Sequence, residues 1–113
     1  MSTADNIEVV RRFRLAFDEQ DADAARACMA DDFRFTSPQD DHIDRDTWMR
    51  VCFPSADHFI DSNVSELVGH GDLVFSRYDY TLEDGTRWRN MEASTVRDGL
   101  VHEVEVYFGG RIG

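Results

Sequence analysis

The stretch from residue 73 to residue 108, LVFSRYDYTLEDGTRWRNMEASTVRDGLVHEVEVYF, decides the fold. It contains three runs in which β-branched and aromatic residues alternate with polar ones, over residues 73–82, 86–97 and 100–108. Asp84-Gly85 and Asp98-Gly99 separate these runs. An Asp-Gly pair between two alternating runs is a strong signal for a two-residue hairpin turn. The stretch therefore predicts three consecutive antiparallel strands.

The segment before these strands begins with a helical pattern. Its apolar residues recur at spacings of three and four and are Ile7, Val10, Phe13 and Phe17. This spacing predicts an amphipathic helix over residues 3–19, with Arg11, Arg12 and Arg14 turned away from the apolar side.

Two shorter helices and two further strands complete the prediction. Asp21 is suited to cap a helix over residues 22–30, and Asp44 is suited to cap a third helix. Alternation predicts strands over residues 33–36 and 58–68. The predicted order is α-α-β-α-β-β-β-β, which is an α+β fold with three helices on one face of a curved antiparallel sheet.

Composition limits the class of protein and its partners. A chain of 113 residues and 13.0 kDa is expected to form one domain over residues 1–113. Its formal net charge of −11 repels nucleic acid and anionic lipid, so we expect neither as a partner. The first residues carry Asp5 and Glu8 and lack a basic start before an apolar block, so a cytoplasmic location with reduced Cys28 and Cys52 is expected.

Tight Asp-Gly turns also predict which residues share a face of the sheet. With two-residue turns, Thr95 lies opposite His102, and Tyr78 lies beside Met91. The face predicted to point towards the helices carries Val74, Ser76, Tyr78, Tyr80, Leu82, Arg89, Met91, Ala93, Thr95, His102, Val104, Val106 and Phe108. The aromatic residues predicted on the opposite face are Phe75, Trp88 and Tyr107, and they suggest a homodimer through that face.

Four side chains of the predicted inner face have chemistry that a catalytic pocket uses. His102 could act as a general base. Alternatively, it is a core histidine bonded to a hydroxyl such as that of Thr95, or a histidine at the end of the sheet near solvent. Tyr78, Tyr80 and Arg89 could bind a carbonyl, an enolate or a carboxylate. Alternatively, the two tyrosine rings fill the core and Arg89 extends to solvent.

A polar loop over residues 39–43 is the second candidate. Asp40, Asp41, His42 and Asp44 could bind a metal or supply a base at the pocket mouth. No second set of ligands with metal spacing occurs elsewhere, so no metal and no other cofactor is expected. Asp41 and His42 remain candidates for catalysis or ligand gating, and the alternative is that the loop charges are solvated.

Three further segments carry a resemblance to a known superfamily. They are FDEQDADA at 17–24, MADDFRF at 29–35 followed by Ser37-Pro38, and DGLV at 98–101 continuing to Tyr107-Phe108-Gly109. Because of these segments, the chain resembles the SnoaL-like and ketosteroid-isomerase-like proteins of the nuclear-transport-factor-2-like superfamily. The resemblance implies a cone: a bent sheet around an apolar pocket, closed by the first and third helices. It also implies a dimer through the outer sheet face.

The residues that carry the chemistry of ketosteroid isomerase are not present at the matching positions of this chain. Ketosteroid isomerase uses an aspartate base with a tyrosine and a protonated aspartate as hydrogen-bond donors. The matching positions here hold Ser37, Phe13 and, approximately, Ala93. A steroid-isomerase mechanism is therefore not expected, although the pocket is. Phe13 is expected to contact substrate, and Trp48 to be core or pocket wall. One hypothesis is a cofactor-independent acid–base enzyme for a small apolar carbonyl, enol or epoxide compound. The alternative is a non-catalytic ligand-binding or dimerisation domain of the same fold.

Overall fold

The computed structural model describes residues 2–113, apart from the side chain of Asp57. The helices are α1 (Thr3–Glu19), α2 (Ala22–Ala27) and α3 (Arg45–Val51), and α3 is followed by a 3₁₀ turn at Phe53–His58. The strands are β1 (Met29–Ser37), β2 (Asp40–Asp44), β3 (Phe59–His70), β4 (Leu73–Leu82), β5 (Arg87–Arg97) and β6 (Leu100–Arg111). None of the helices in the described part of the chain is long and apolar enough to cross a membrane.

The six strands form one curved sheet in the order β2-β1-β6-β5-β4-β3. The predicted α+β class is confirmed. The prediction of an entirely antiparallel sheet is wrong in one place, because β1 and β6 run parallel. A parallel pair needs a crossover connection, and here all the elements between β1 and β6 supply it.

The helices match the sequence prediction closely, and their ends have identifiable causes. Helix α1 has the predicted bounds, with Ser2 and Asp5 forming a capping box. Helix α2 is capped by Asp21 as predicted but ends at Ala27. It ends early because Met29 already pairs with Val101 of β6.

Strand β2 was not predicted, because its sequence is as polar as a loop. It pairs with β1 in a hairpin, with Ile43 opposite Phe35 and Ser37 opposite Asp40. The register shifts between these two pairs, and His42 has a left-handed backbone with a φ of 50°. The hairpin takes Asp40 into a strand, where its side chain has a fixed direction.

One of the two Asp-Gly turns is confirmed and the other is wrong. Arg97 lies opposite Leu100, as a two-residue Asp98-Gly99 turn requires, and both turn residues have a positive φ. The other loop has three residues, 83–85, because the backbone amide of Leu82 donates to the carbonyl of Thr86 at 2.9 Å.

The longer loop shifts the register of β5 by one residue. Tyr78 therefore lies opposite Asn90, and the predicted pairing with Met91 is wrong. A one-residue shift moves every side chain of a strand to the other face. The inner face of β5 consequently carries Trp88, Asn90, Glu92, Ser94 and Val96, and the predicted set from Arg89 to Thr95 lies on the outer face.

A β-bulge at His102 changes the β5–β6 pairing that was predicted beyond the confirmed turn. Val96 pairs with Val101, but Thr95 pairs with Glu103, so His102 is the extra residue. The bulge lets Val101 and Val104 both point inward, where they are 0% and 2% exposed. Burial of both valines is the physical reason why the uninterrupted register does not occur.

The core lies between α1, α3 and the concave face of the sheet. Its most completely buried side chains are Phe33, Val9, Val10, Val74, Val96 and Val101. The rings of Phe13 and Phe33 pack against Trp48 of α3, at centroid distances of 5.4 Å and 5.8 Å. The core fills one part of the cone, and a cavity occupies the rest.

Candidate functional site

A cavity of about 580 Å³ lies between α1, the β1–β2 hairpin, α3 and the concave face of the sheet. Pockets that bind small molecules usually have volumes of this order. Much of its wall is aromatic, and the rings belong to Phe13, Phe17, Phe35, Trp48, Phe59, Trp88 and Phe108. Such a wall suits an apolar, flat ligand, and three polar groups interrupt it.

The first polar group is formed by Tyr78 and Tyr80 of β4 and Asn90 of β5. The Asn90 amide donates to both phenol oxygens, at 3.3 Å for Tyr78 and 3.4 Å for Tyr80. Neither phenol donates its own hydrogen to an acceptor within the described residues. Burial raises the pKa of both tyrosines, and nearby Glu92 raises that of Tyr78 further. Both hydroxyls are therefore protonated donors at neutral pH.

The second polar group is an ion pair between Arg14 of α1 and Glu92 of β5. Arg14 Nη1 donates to Glu92 Oε2, and the two side chains are only 13% and 14% exposed. Burial acts most strongly on the pKa of Arg14 and lowers it, but Glu92, Tyr78 and Asp18 together outweigh burial, and the pKa is raised. The guanidinium also lies 4.1 Å from the centre of the Tyr78 ring. The pair is thus charged and fixed beside the tyrosines.

The third polar group is the half-buried Asp40 of β2. Ser37 Oγ donates to Asp40 Oδ2 at 3.3 Å, and the Cys52 thiol lies 3.9 Å from the same oxygen. Burial, followed by the charge of Asp40, raises the pKa of Cys52 to about 11. Cys52 is therefore a neutral thiol at physiological pH and unsuited to act as a nucleophile.

Four of the residues predicted to bind substrate line the cavity: Phe13, Trp48, Tyr78 and Tyr80. Their contact with a ligand stays a prediction. The predicted inner position of Arg89 is wrong, because the register shift turns it to the outer face. There its Nε donates to Asp79 Oδ1 at 2.7 Å.

His102 is not on the cavity wall, so its predicted position is also wrong. At the bulge, its Nδ1 lies 2.9 Å from Asp32 Oδ1, and its Nε2 lies 3.3 Å from the carbonyl of Arg97. Both ring nitrogens thus face groups of β1 and β5 that do not line the cavity, and His102 is not part of this candidate site.

Asp41 and His42 likewise lie outside the cavity. They are exposed, and their side chains are 2.5 Å apart, from Asp41 Oδ1 to His42 Nδ1. His42 Nε2 lies 3.8 Å from Glu103 Oε2 on β6. The hairpin directs the preceding residue, Asp40, to the cavity instead.

Sequence reasoning named Asp40 as a possible metal ligand or base at the pocket mouth, but it did not place Arg14, Asn90 or Glu92 on the wall. The prediction that Arg14 turns away from the apolar side of α1 is wrong, because the residue lies four positions after Val10 and therefore on the same side of the helix. Asn90 and Glu92 depended on the length of the 83–85 loop. Trp88 was predicted on the outer face for the same reason, and it lines the cavity.

The curved sheet with helices on its concave side defines an α+β fold, and comparison with known proteins gives its family. The chain belongs to the SnoaL-like domain family, whose model matches residues 10–104. The predicted resemblance is confirmed. No curated protein sequence matches the chain significantly.

Solved structures of similar fold come from several bacteria. An NTF2-like protein of unknown function from Cytophaga hutchinsonii is 19% identical, with a TM-score of 0.79 over 91% of this chain and 88% of its own. A proposed ketosteroid isomerase from Kribbella flavida is 20% identical, with a TM-score of 0.81 over 98% and 82%. AclR, a proposed hydroxylase from Streptomyces galilaeus, is 18% identical, with a TM-score of 0.78 over 96% and 77%. These similarities show a shared fold.

Proposed function

We propose that the protein binds a small, largely apolar carbonyl or enol compound in this cavity and acts on it by acid–base chemistry. The observation that carries the proposal is the pair of phenol hydrogens of Tyr78 and Tyr80. Asn90 supplies hydrogen bonds to both phenol oxygens, so each phenol can direct its hydrogen to a ligand oxygen. Two such donors in an apolar cavity stabilise negative charge that develops on a carbonyl oxygen.

Hydrogen bonding is the means of carbonyl activation that these side chains favour. The chain contains no lysine, since all 12 basic residues are arginines. A lysine amine is the usual group that forms a Schiff base with a carbonyl. The chemistry proposed here needs only proton transfer between side chains and ligand, for which no cofactor is required.

Glu92 is the carboxylate best suited to accept the proton. It lies on the same face of β5 as Asn90, two residues away, and pairs with Arg14 through only one of its oxygens. In the proposed step, a carbon next to the carbonyl loses its proton to Glu92, and the electron pair moves to the oxygen held by the tyrosines. Return of the proton to the same or another carbon completes an exchange or an isomerisation.

Deuterium exchange of a model ketone tests this proposal. We expect the protein to speed the exchange of the methyl protons of 2-acetylnaphthalene in heavy water, measured by proton NMR, in a saturable manner. Tyr80→Phe should reduce the rate about 100-fold, the usual effect of losing one oxyanion donor. Tyr107→Phe is the matched control, because Tyr107 lies on the outer face and donates to Glu105.

An exchange rate equal to that of buffer would contradict the enzymatic proposal. A second candidate is a non-catalytic ligand-binding protein, and the engagement of Glu92 by Arg14 favours it. Binding of the ketone can be followed independently by the fluorescence of Trp48 and Trp88, which both line the cavity. Saturable binding without exchange would support this second candidate.

We also propose a homodimer through the outer face of the sheet. Phe75, Met91 and Tyr107 lie on neighbouring strands there and are 36%, 44% and 56% exposed. An apolar patch on a sheet face is typical of a protein contact. In the observed register, Met91 takes the place that was predicted for Trp88 in this patch. The proposed partner is still a second copy of the chain.

A further inference from the structure

The charge of Asp40 has no counterion within the described residues. Its carboxylate oxygen Oδ2 has two neutral neighbours, the Ser37 hydroxyl at 3.3 Å and the Cys52 thiol at 3.9 Å. The nearest residue in sequence that could be cationic is His42, and its ring faces Asp41 and Glu103 instead. A half-buried carboxylate that receives only neutral donors is stabilised further by a cation.

The other charges on the cavity wall do not compensate Asp40. The charged residues among the described lining are Arg14, Asp40 and Glu92, and Arg14 is already paired with Glu92. The wall therefore carries one negative charge in excess, located at Asp40. The raised pKa of Cys52 has this charge as its second cause, after burial, which is consistent with an uncompensated field.

We propose that the ligand carries a basic nitrogen, protonated at neutral pH, which pairs with Asp40 while the ligand oxygen contacts Tyr78 and Tyr80. This inference rests on the proposed function, because the tyrosine contact orients the molecule. The two polar groups belong to different parts of the sheet, with three strands between β2 and β4. The aromatic wall between them accommodates an apolar body and offers ring faces that attract a cation.

The net charge of the whole protein favours the same class of ligand as Asp40 does. The whole chain carries a net charge of −11, so a cationic molecule is attracted to the protein and an anionic one is repelled. A carboxylate ligand would be repelled by Asp40, and the arginine among the described lining residues already has Glu92 as its counterion. The substrate class is therefore an amino ketone or an amino enol with an apolar body, and acidic ketones are disfavoured.

Three ligands that differ at one position test the inference. They are 2-acetylnaphthalenes that carry an aminomethyl, a methyl or a carboxylate group at carbon 6, with affinities measured by calorimetry at neutral pH. We expect the amine to bind about fivefold more tightly than the methyl compound, the strength of a partly exposed ion pair. The carboxylate should bind more weakly than the methyl compound.

Two variants of equal charge separate the local effect of Asp40 from that of the whole protein. Asp40→Asn should abolish the preference for the amine over the methyl compound. Asp41→Asn is the matched control and should keep the preference, because Asp41 is exposed outside the cavity.

Equal binding of the amine and the methyl compound by the natural protein would overturn the inference and leave the proposed function intact. A preference that survives in Asp40→Asn would also overturn it. If none of the three ketones binds, the proposed function fails together with it.

Discussion

Removing one partner of the buried pair of Arg14 and Glu92 should destabilise the fold strongly. We consider Arg14→Met, Glu92→Met and the double variant, which replace each charged side chain by an apolar one of similar length. Each single change leaves one charge without its partner, where the side chain is only 13% or 14% exposed. Removing one partner of a buried pair costs about 3 kcal/mol of unfolding free energy.

The double variant should recover most of this loss. With both charges gone, no isolated ion stays buried, and two methionines can pack against the aromatic wall. We therefore expect a coupling energy of about 2 kcal/mol or more in the double-mutant cycle. For a chain of this size, each single variant should also melt roughly 10 °C below the natural protein.

Urea denaturation followed by tryptophan fluorescence measures these free energies. The exposed pair of Arg11 and Glu8 is the control, with side chains 56% and 54% exposed. Its cycle should give a coupling of about 0.5 kcal/mol or less. If the cycle of Arg14 and Glu92 gives a value as small as that of the control, the reasoning on the buried pair is refuted.

Three further predictions address a thiol, a carboxyl and the outer face. In a Cys28→Ala background, iodoacetamide should react with Cys52 at pH 8 about 100-fold more slowly than with free cysteine. The reason is that the pKa of Cys52 is raised to about 11. A rate equal to that of free cysteine would contradict the burial of the Cys52 thiol. Burial also raises the pKa of Asp18 in the folded protein, so its ionisation opposes folding above that pKa. Asp18→Asn should therefore raise the melting temperature at pH 7, and the gain should vanish as the pH falls below the ordinary carboxyl value of 3.8; a gain independent of pH would exclude this cause. Met91→Lys should convert the proposed dimer to a monomer in light scattering at micromolar concentration, and a natural protein that is itself monomeric would refute the dimer.

Most of the fold could be predicted because its signals are local. The spacing of apolar residues in α1 and the capping residues Asp21 and Asp44 depend on neighbours within a few positions. Asp98-Gly99 is equally local, since both residues tolerate the positive φ that the turn requires. The parallel pairing of β1 with β6 has no such local signal, because it joins strands that lie far apart in the sequence.

The identity of the residues that line the cavity was harder to predict, because it depends on how β4, β5 and β6 are paired. Glu83 joins Asp84-Gly85 in the loop, and no feature of the three residues alone distinguishes a two-residue from a three-residue connection. The bulge at His102 is decided by the burial of Val101 and Val104 against the helices, which is a tertiary effect. Asp40 reaches the cavity only through a hairpin whose polar sequence resembles a loop.

The three-residue connection between β4 and β5 has a consequence for how such a cavity changes during evolution. A two-residue Asp84-Gly85 turn in the same sequence would place Glu83 opposite Thr86 and exchange the two faces of β5. Arginine, methionine and alanine would then replace asparagine, glutamate and serine at the cavity, although the sequence stayed the same. The conformation of one loop therefore sets the chemistry of this part of the cavity, and substitutions that favour one turn over the other are a route to new specificities.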